Sequence, residues 1–136
     1  MIFSDVGGVV NKYGRSTSAA VADLEAKLMA RYPGAGGCSA MTCGMNAIST
    51  LVRTLVIHKD VQHILHSDEL YSDTPMNLEA MKHLRKGSSI PLKVEQFELA
   101  KQDELLEKVG AVPTVLFVES SSNPNSIPFD FGKPSA

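Results

Sequence analysis

Short apolar runs alternate with helix-period segments along most of this chain, and that alternation constrains the fold more than any other feature. The runs are "CSAMT" (residues 38–42), "VQHILH" (61–66), "IPLKVEQF" (90–97) and "TVLFVE" (114–119). The last is the clearest buried-strand pattern, being short, β-branched and aromatic. Between them lie helical patterns. Ser18 is placed to cap a helix over 19–31, with Val21, Leu24, Leu28 and the adjoining Met29 on an inward face. "YPGAGG" then stops it. "GMNAISTLVRTLV" repeats Met45, Ile48, Val52 and Leu55 at helical spacing, beside Leu51. Thr74 and Pro75 form an N-cap and first-turn pair for a helix to about Lys86, with Leu78, Met81 and Leu84 inward. "AKQDELLEKVG" reads as an exposed helix closed by Gly110. Residues 1–14 are glycine-rich and read as an arm. Strand–helix alternation predicts an α/β fold, with right-handed crossovers and a parallel or mixed sheet flanked by helices. Ligands of such sheets gather outside the carboxyl ends of the strands.

Composition narrows the function classes. A length of 136 residues suits one domain, and a net charge of −2 gives no nucleic-acid footprint. Cys38 and Cys43 have no further ligands at zinc spacing, so no metal is expected; two free thiols fit a reducing compartment. No basic-then-apolar leader opens the sequence, and no apolar stretch approaches membrane-spanning length. The expectation is a cytoplasmic protein with neither membrane nor nucleic-acid partners.

Three segments should meet at the carboxyl edge of the sheet. "TCGMN" turns a strand into a helix, whose first amides carry unpaired N–H groups and partial positive charge. Gly44 would let a phosphate approach, although many such turns hold glycine for steric reasons alone. "SDELY" offers the face of Tyr71, a flat surface for a flat ligand or else a cap on the core. "VESSSNP" offers the amide of Asn123, whose alternative role is that of a turn residue satisfying its own backbone. Glu119 is better read as a carboxylate that holds the loop in place. Together these suit a flat, phosphorylated, aromatic ligand, and spacing does not separate a nucleotide from a vitamin-derived cofactor.

Four ordered segments carry a family resemblance. They are "YGRS" (13–16), followed by Leu24-Glu25; "CGMNAIS" (43–49); "SDELYSDT" (67–74); and "VESSSNP" (118–124), with Asp130 at an acidic position downstream. The set resembles the pyridoxal-phosphate enzymes of cysteine and methionine metabolism: cystathionine synthases and lyases, methionine γ-lyase and homoserine sulfhydrylases. The resemblance implies a fold-type-I PLP-transferase-like large domain spanning 15–136, of which this chain is the front part. It implies that the amides of Gly44 and Met45 hold the cofactor phosphate. By the same resemblance Tyr71 would stack on the pyridine ring and assist proton transfer, and Asn123 would approach the ring's phenolic oxygen. The resemblance also implies that Tyr13 and Arg15 would reach across a subunit interface to a neighbour's phosphate, a task that suits the arginine fork.

The sequence also departs from the family pattern. Ser18-Ala19 stands for Asn-Pro, Cys43 for serine, Ser72-Asp73 for Gly-Gly and Ser120-Ser121 for Thr-Pro. The resemblance places the Schiff-base lysine and the acid that pairs with the pyridine nitrogen downstream of the Ser-Asn-Pro segment. Neither is expected within the chain, and no lysine present falls in the family's lysine motif, Lys133 included. The implied function is part of a sulfur amino acid enzyme of β/γ-elimination or replacement. The alternatives are a non-catalytic module that binds pyridoxal phosphate or drives oligomerisation, and an α/β domain for another phosphorylated ligand. An open sheet edge predicts a homo-oligomer or a complementing chain.

Overall fold

A computed structural model describes residues 18–132. It divides into two units, Met1–Cys43 and Gly44–Ala136.

In the first unit, helix α1 spans Ala19–Arg31. Its start is locally encoded. Ser18 is extended, and its side chain accepts a hydrogen bond from the Val21 N–H at 3.4 Å. Gly34, at φ +89°, carries the chain out of the helix in the left-handed region. The expected inward face is not buried: α1 has no buried residue, and Val21, Leu24 and Leu28 are exposed. The segment that follows within the unit contains Gly34, Gly36 and Gly37 and brings little apolar surface to cover it. The strand expected at 38–42 is absent, and the segment is irregular. Its Ala40 N–H is taken by the Glu25 carboxylate at 2.7 Å instead of a sheet partner.

The second unit is built on a parallel three-stranded sheet in the order β2-β1-β3. Strand β1 is His63–Ser67, β2 is Lys93–Phe97 and β3 is Thr114–Phe117. Ile64 aligns with Val94 and Val115, and Leu65 with Glu95 and Leu116. Side chains alternate between the faces of each strand. Ile64, Val94, Val115 and Phe117 pack with Val52 and Val56 of α2 (Gly44–His58) and Leu78 of α3 (Asp73–Ala80). Leu65 and Phe97 face the other way, onto Leu99, Leu105, Phe129 and Val118. β1 is therefore buried at every position. Burying each large apolar side chain in this way contributes about 1.5–3 kcal/mol.

Three expectations are corrected here. β3 is only partly buried, with Leu116 exposed, because it stands at the sheet edge and pairs with β1 alone among the described residues. The 74–86 helix begins at Asp73 after Ser72 and gives way to a 3₁₀ turn over Met81–Arg85. Thr74 is buried within its first turn instead of capping it, and its N–H donates to the Tyr71 carbonyl at 2.9 Å. The 100–110 segment is a 3₁₀ stretch, Leu99–Glu104, broken at Lys101, and then the short α4, Leu105–Lys108. It is not exposed throughout, because Leu99 and Leu105 both anchor in the core.

Candidate functional site

The carboxyl end of β1 runs into a turn in which four successive residues are each anchored. The Asp68 N–H donates to the Phe97 carbonyl at 2.9 Å, and its carboxylate accepts the Leu99 N–H at 2.8 Å. Glu69 accepts from Ser122 and Asn125. Leu70 is buried in the core. The Tyr71 N–H donates to Glu119 Oε1 at 2.9 Å. The backbone of Tyr71 is thus held while the residue itself is 44% exposed. It does not cap the core. The loop-holding role read for Glu119 matches this bond, which joins the end of the β3 segment to the turn after β1.

The start of α2 reaches the same region through α3. Thr74 Oγ1 donates to Met45 Sδ at 3.9 Å, and Thr74 lies three residues after Tyr71. Gly44 opens α2, so the helix begins at this glycine with its N-terminal dipole end. Among the described residues, a Cβ added at Gly44 would meet no atom within 4 Å, so crowding by them is not what requires glycine there. Asn123 lies exposed between the buried Ser122 and the exposed Pro124, across a cis peptide bond to Pro124. The start of α2, an exposed tyrosine and an exposed asparagine thus belong to three segments linked by the bonds just described. As a set of donors and surfaces they fit pyridoxal phosphate.

Tyr13 and Arg15, the residues expected to cross a subunit interface, lie outside the described residues, as do the whole 1–14 arm and Lys133. Cys38 is half-buried and Cys43 exposed, both as free thiols. Sequence reasoning missed Glu69, which gathers two donors from the 122–125 turn. Its position between Asp68 and Leu70 marks it only as a loop acid; its role comes from contacts more than fifty positions away in sequence, at separations of 53 and 56.

Comparison with known families gives a match to the Cys/Met metabolism PLP-dependent enzymes over residues 4–133. The chain belongs to this family, an α/β class whose cofactor is pyridoxal phosphate. Comparisons with curated proteins and with solved structures gave no match. Among the described residues no helix is long and apolar enough to cross a membrane, and no cluster of side chains could hold a metal ion.

Proposed function

We propose that this chain forms part of a pyridoxal-phosphate enzyme of sulfur amino acid metabolism, catalysing β- or γ-elimination or replacement. The observation that carries the reading is the tether between Tyr71 and Glu119, which holds an exposed aromatic residue beside the Asn123 loop. The amides of Gly44 and Met45 take the phosphate, where backbone N–H groups and the α2 dipole favour an anion. Tyr71 stacks on the pyridine ring and holds or passes a proton at its phenol oxygen. Asn123 donates to the ring's phenolic oxygen. Tyr13 and Arg15 complete the phosphate site of a neighbouring chain. When bound, pyridoxal phosphate supplies the electron sink that lets a substrate α carbon carry negative charge. The Schiff-base lysine is supplied from outside these 136 residues. Location in the cytoplasm belongs to the same proposal and is supported by the two free thiols.

A second reading, a non-catalytic module that binds the cofactor or drives oligomerisation, is favoured by one observation. β3 offers a partly exposed, uncharged edge that a further strand could extend.

The test is an absorbance titration of the purified chain with pyridoxal phosphate, followed by borohydride reduction and peptide mapping. Saturable binding without labelling of a single lysine supports a cofactor site that takes its lysine from elsewhere. Stoichiometric labelling of one lysine would show a complete site within the chain. No binding overturns the proposal.

A further inference from the structure

Glu69 is the hub of a small polar clasp. Asn125 Nδ2 donates to both its oxygens, Oε1 and Oε2, at 2.8 Å each, and Ser122 Oγ donates to Oε2 at 3.2 Å. Ser122 is 5% exposed, and its hydroxyl also accepts the Ile127 N–H at 2.9 Å. The Ser122 N–H donates to the Ile127 carbonyl at 2.8 Å, and the Ser126 N–H to the Ser122 carbonyl at 2.9 Å. The 122–127 turn is therefore stitched to itself before it grips Glu69. Its grip encloses Asn123, which lies in sequence between the two clasp donors. At the other end, Glu69 is two residues from Tyr71, and Ser67 Oγ donates to the Glu69 carbonyl at 3.3 Å. Hydrogen bonds to an ionised carboxylate are about twice as strong as neutral ones, and a carboxylate gripped from both oxygens is fixed in orientation.

We infer that Glu69, held by Ser122 and Asn125, is a positioning residue that sets the Asn123 amide against the Tyr71 ring. It thereby governs affinity for the pyridine ring of the cofactor without touching the phosphate subsite. The inference rests on the cofactor reading above. The Tyr71–Glu119 bond ties the same two loops by a second route, so the pair of carboxylates fixes both their separation and their rotation. Among the described residues, loss of Glu69 leaves the Tyr71–Glu119 bond as the hydrogen bond between these two loops, about which the Asn123 turn can swing. The phosphate subsite at Gly44 and Met45 is reached through Thr74 and has no bond to the clasp among those described.

The experiment measures dissociation constants for pyridoxal phosphate, by absorbance and fluorescence, and for inorganic phosphate, by calorimetry. It uses the full chain as wild type, Glu69→Ala, Glu69→Gln and Asn125→Ala, with thermal unfolding of each. Glu69→Ala is expected to weaken pyridoxal phosphate about tenfold, and Asn125→Ala and Glu69→Gln by less, since each keeps part of the clasp. Inorganic phosphate binding stays within about twofold in all of them, and so shows a ring-specific effect. Asn125 is exposed, so Asn125→Ala tests the clasp even where Glu69→Ala unfolds. Equal weakening of both ligands would reduce the clasp to a general stabiliser, and unchanged pyridoxal phosphate binding in Glu69→Ala or Asn125→Ala would overturn it. Failure of the wild type to bind pyridoxal phosphate would overturn the cofactor reading itself, and the clasp's role with it.

Discussion

Glu119 accepts the backbone N–H of Tyr71 at 2.9 Å across 48 positions of sequence. The bond spends a carboxylate on a main-chain donor and leaves the tyrosine ring outside the core. Glu119→Ala should cost about 0.5–1.5 kcal/mol, since water replaces part of what is lost at a half-exposed donor. Amide hydrogen exchange at Tyr71 should quicken by more than exchange within β1. Unchanged protection at Tyr71 would mean that the loop is held by other contacts.

Removal of the Tyr71 ring should be felt by the ligand and barely by the fold. Tyr71→Phe keeps the stacking face and should bind pyridoxal phosphate within about threefold of wild type, while Tyr71→Ala should lose about two- to tenfold. Neither should shift the urea midpoint appreciably, because the residue is 44% exposed. A large stability loss in Tyr71→Ala would restore it to the core.

The pH dependence of stability has two separate windows. His63 is buried in β1, with Nε2 3.6 Å from Glu95 Oε2. Burial first, and the Lys93 charge second, hold its pKa below the usual 6.5 against the pull of Glu95. The unfolded chain therefore takes up a proton at a pH where the folded chain does not. Stability from this residue is full above 6.5 and is lost as pH falls through the lower folded value. Glu95 is held below 4.5, first by its bond to Lys93, so its contribution is lost only at lower pH. Urea midpoints at about pH 7.5 and pH 5 should differ in wild type and converge in His63→Leu. An equal slope in both proteins would move the cause elsewhere.

Two leucines in register, Leu65 and Leu116, should behave differently. Leu65 is fully buried among Phe97, Leu99, Leu105 and Phe129, and Leu65→Ala should cost about 2–5 kcal/mol in chemical denaturation. Leu116 is exposed on the edge strand, so Leu116→Lys should cost little in the chain itself. It should instead reduce self-association measured by light scattering. A wild-type chain that stays monomeric at micromolar concentration would remove the edge as a docking surface.

What was legible in the sequence was the local part. Helix α1 falls where Ser18 and its periodicity put it, and the three strands sit within a few residues of their apolar runs. The parallel order follows from strand–helix alternation. Two of the failures share a cause, which is competition from contacts elsewhere in the chain, while the exposed α1 face and the half-buried β3 reflect missing cover and an edge position. Residues 38–42 have a strand's composition, but Glu25 takes the Ala40 amide. Thr74 has a cap's composition, but it is buried against Met45. At the site, Tyr71, Asn123 and the Gly44 turn were visible as types. Glu69 was not, since nothing in its neighbourhood announces the turn that grips it.

The empty space around the Cβ direction of Gly44 has a practical consequence for mutational scanning. Alanine there relieves the backbone entropy of a glycine and obstructs none of the described residues, so a library sorted for folding should retain Gly44→Ala or even enrich it. The same library sorted for retention of the cofactor should discard it. A position on which two selections disagree is one whose occupant is judged from outside the polypeptide.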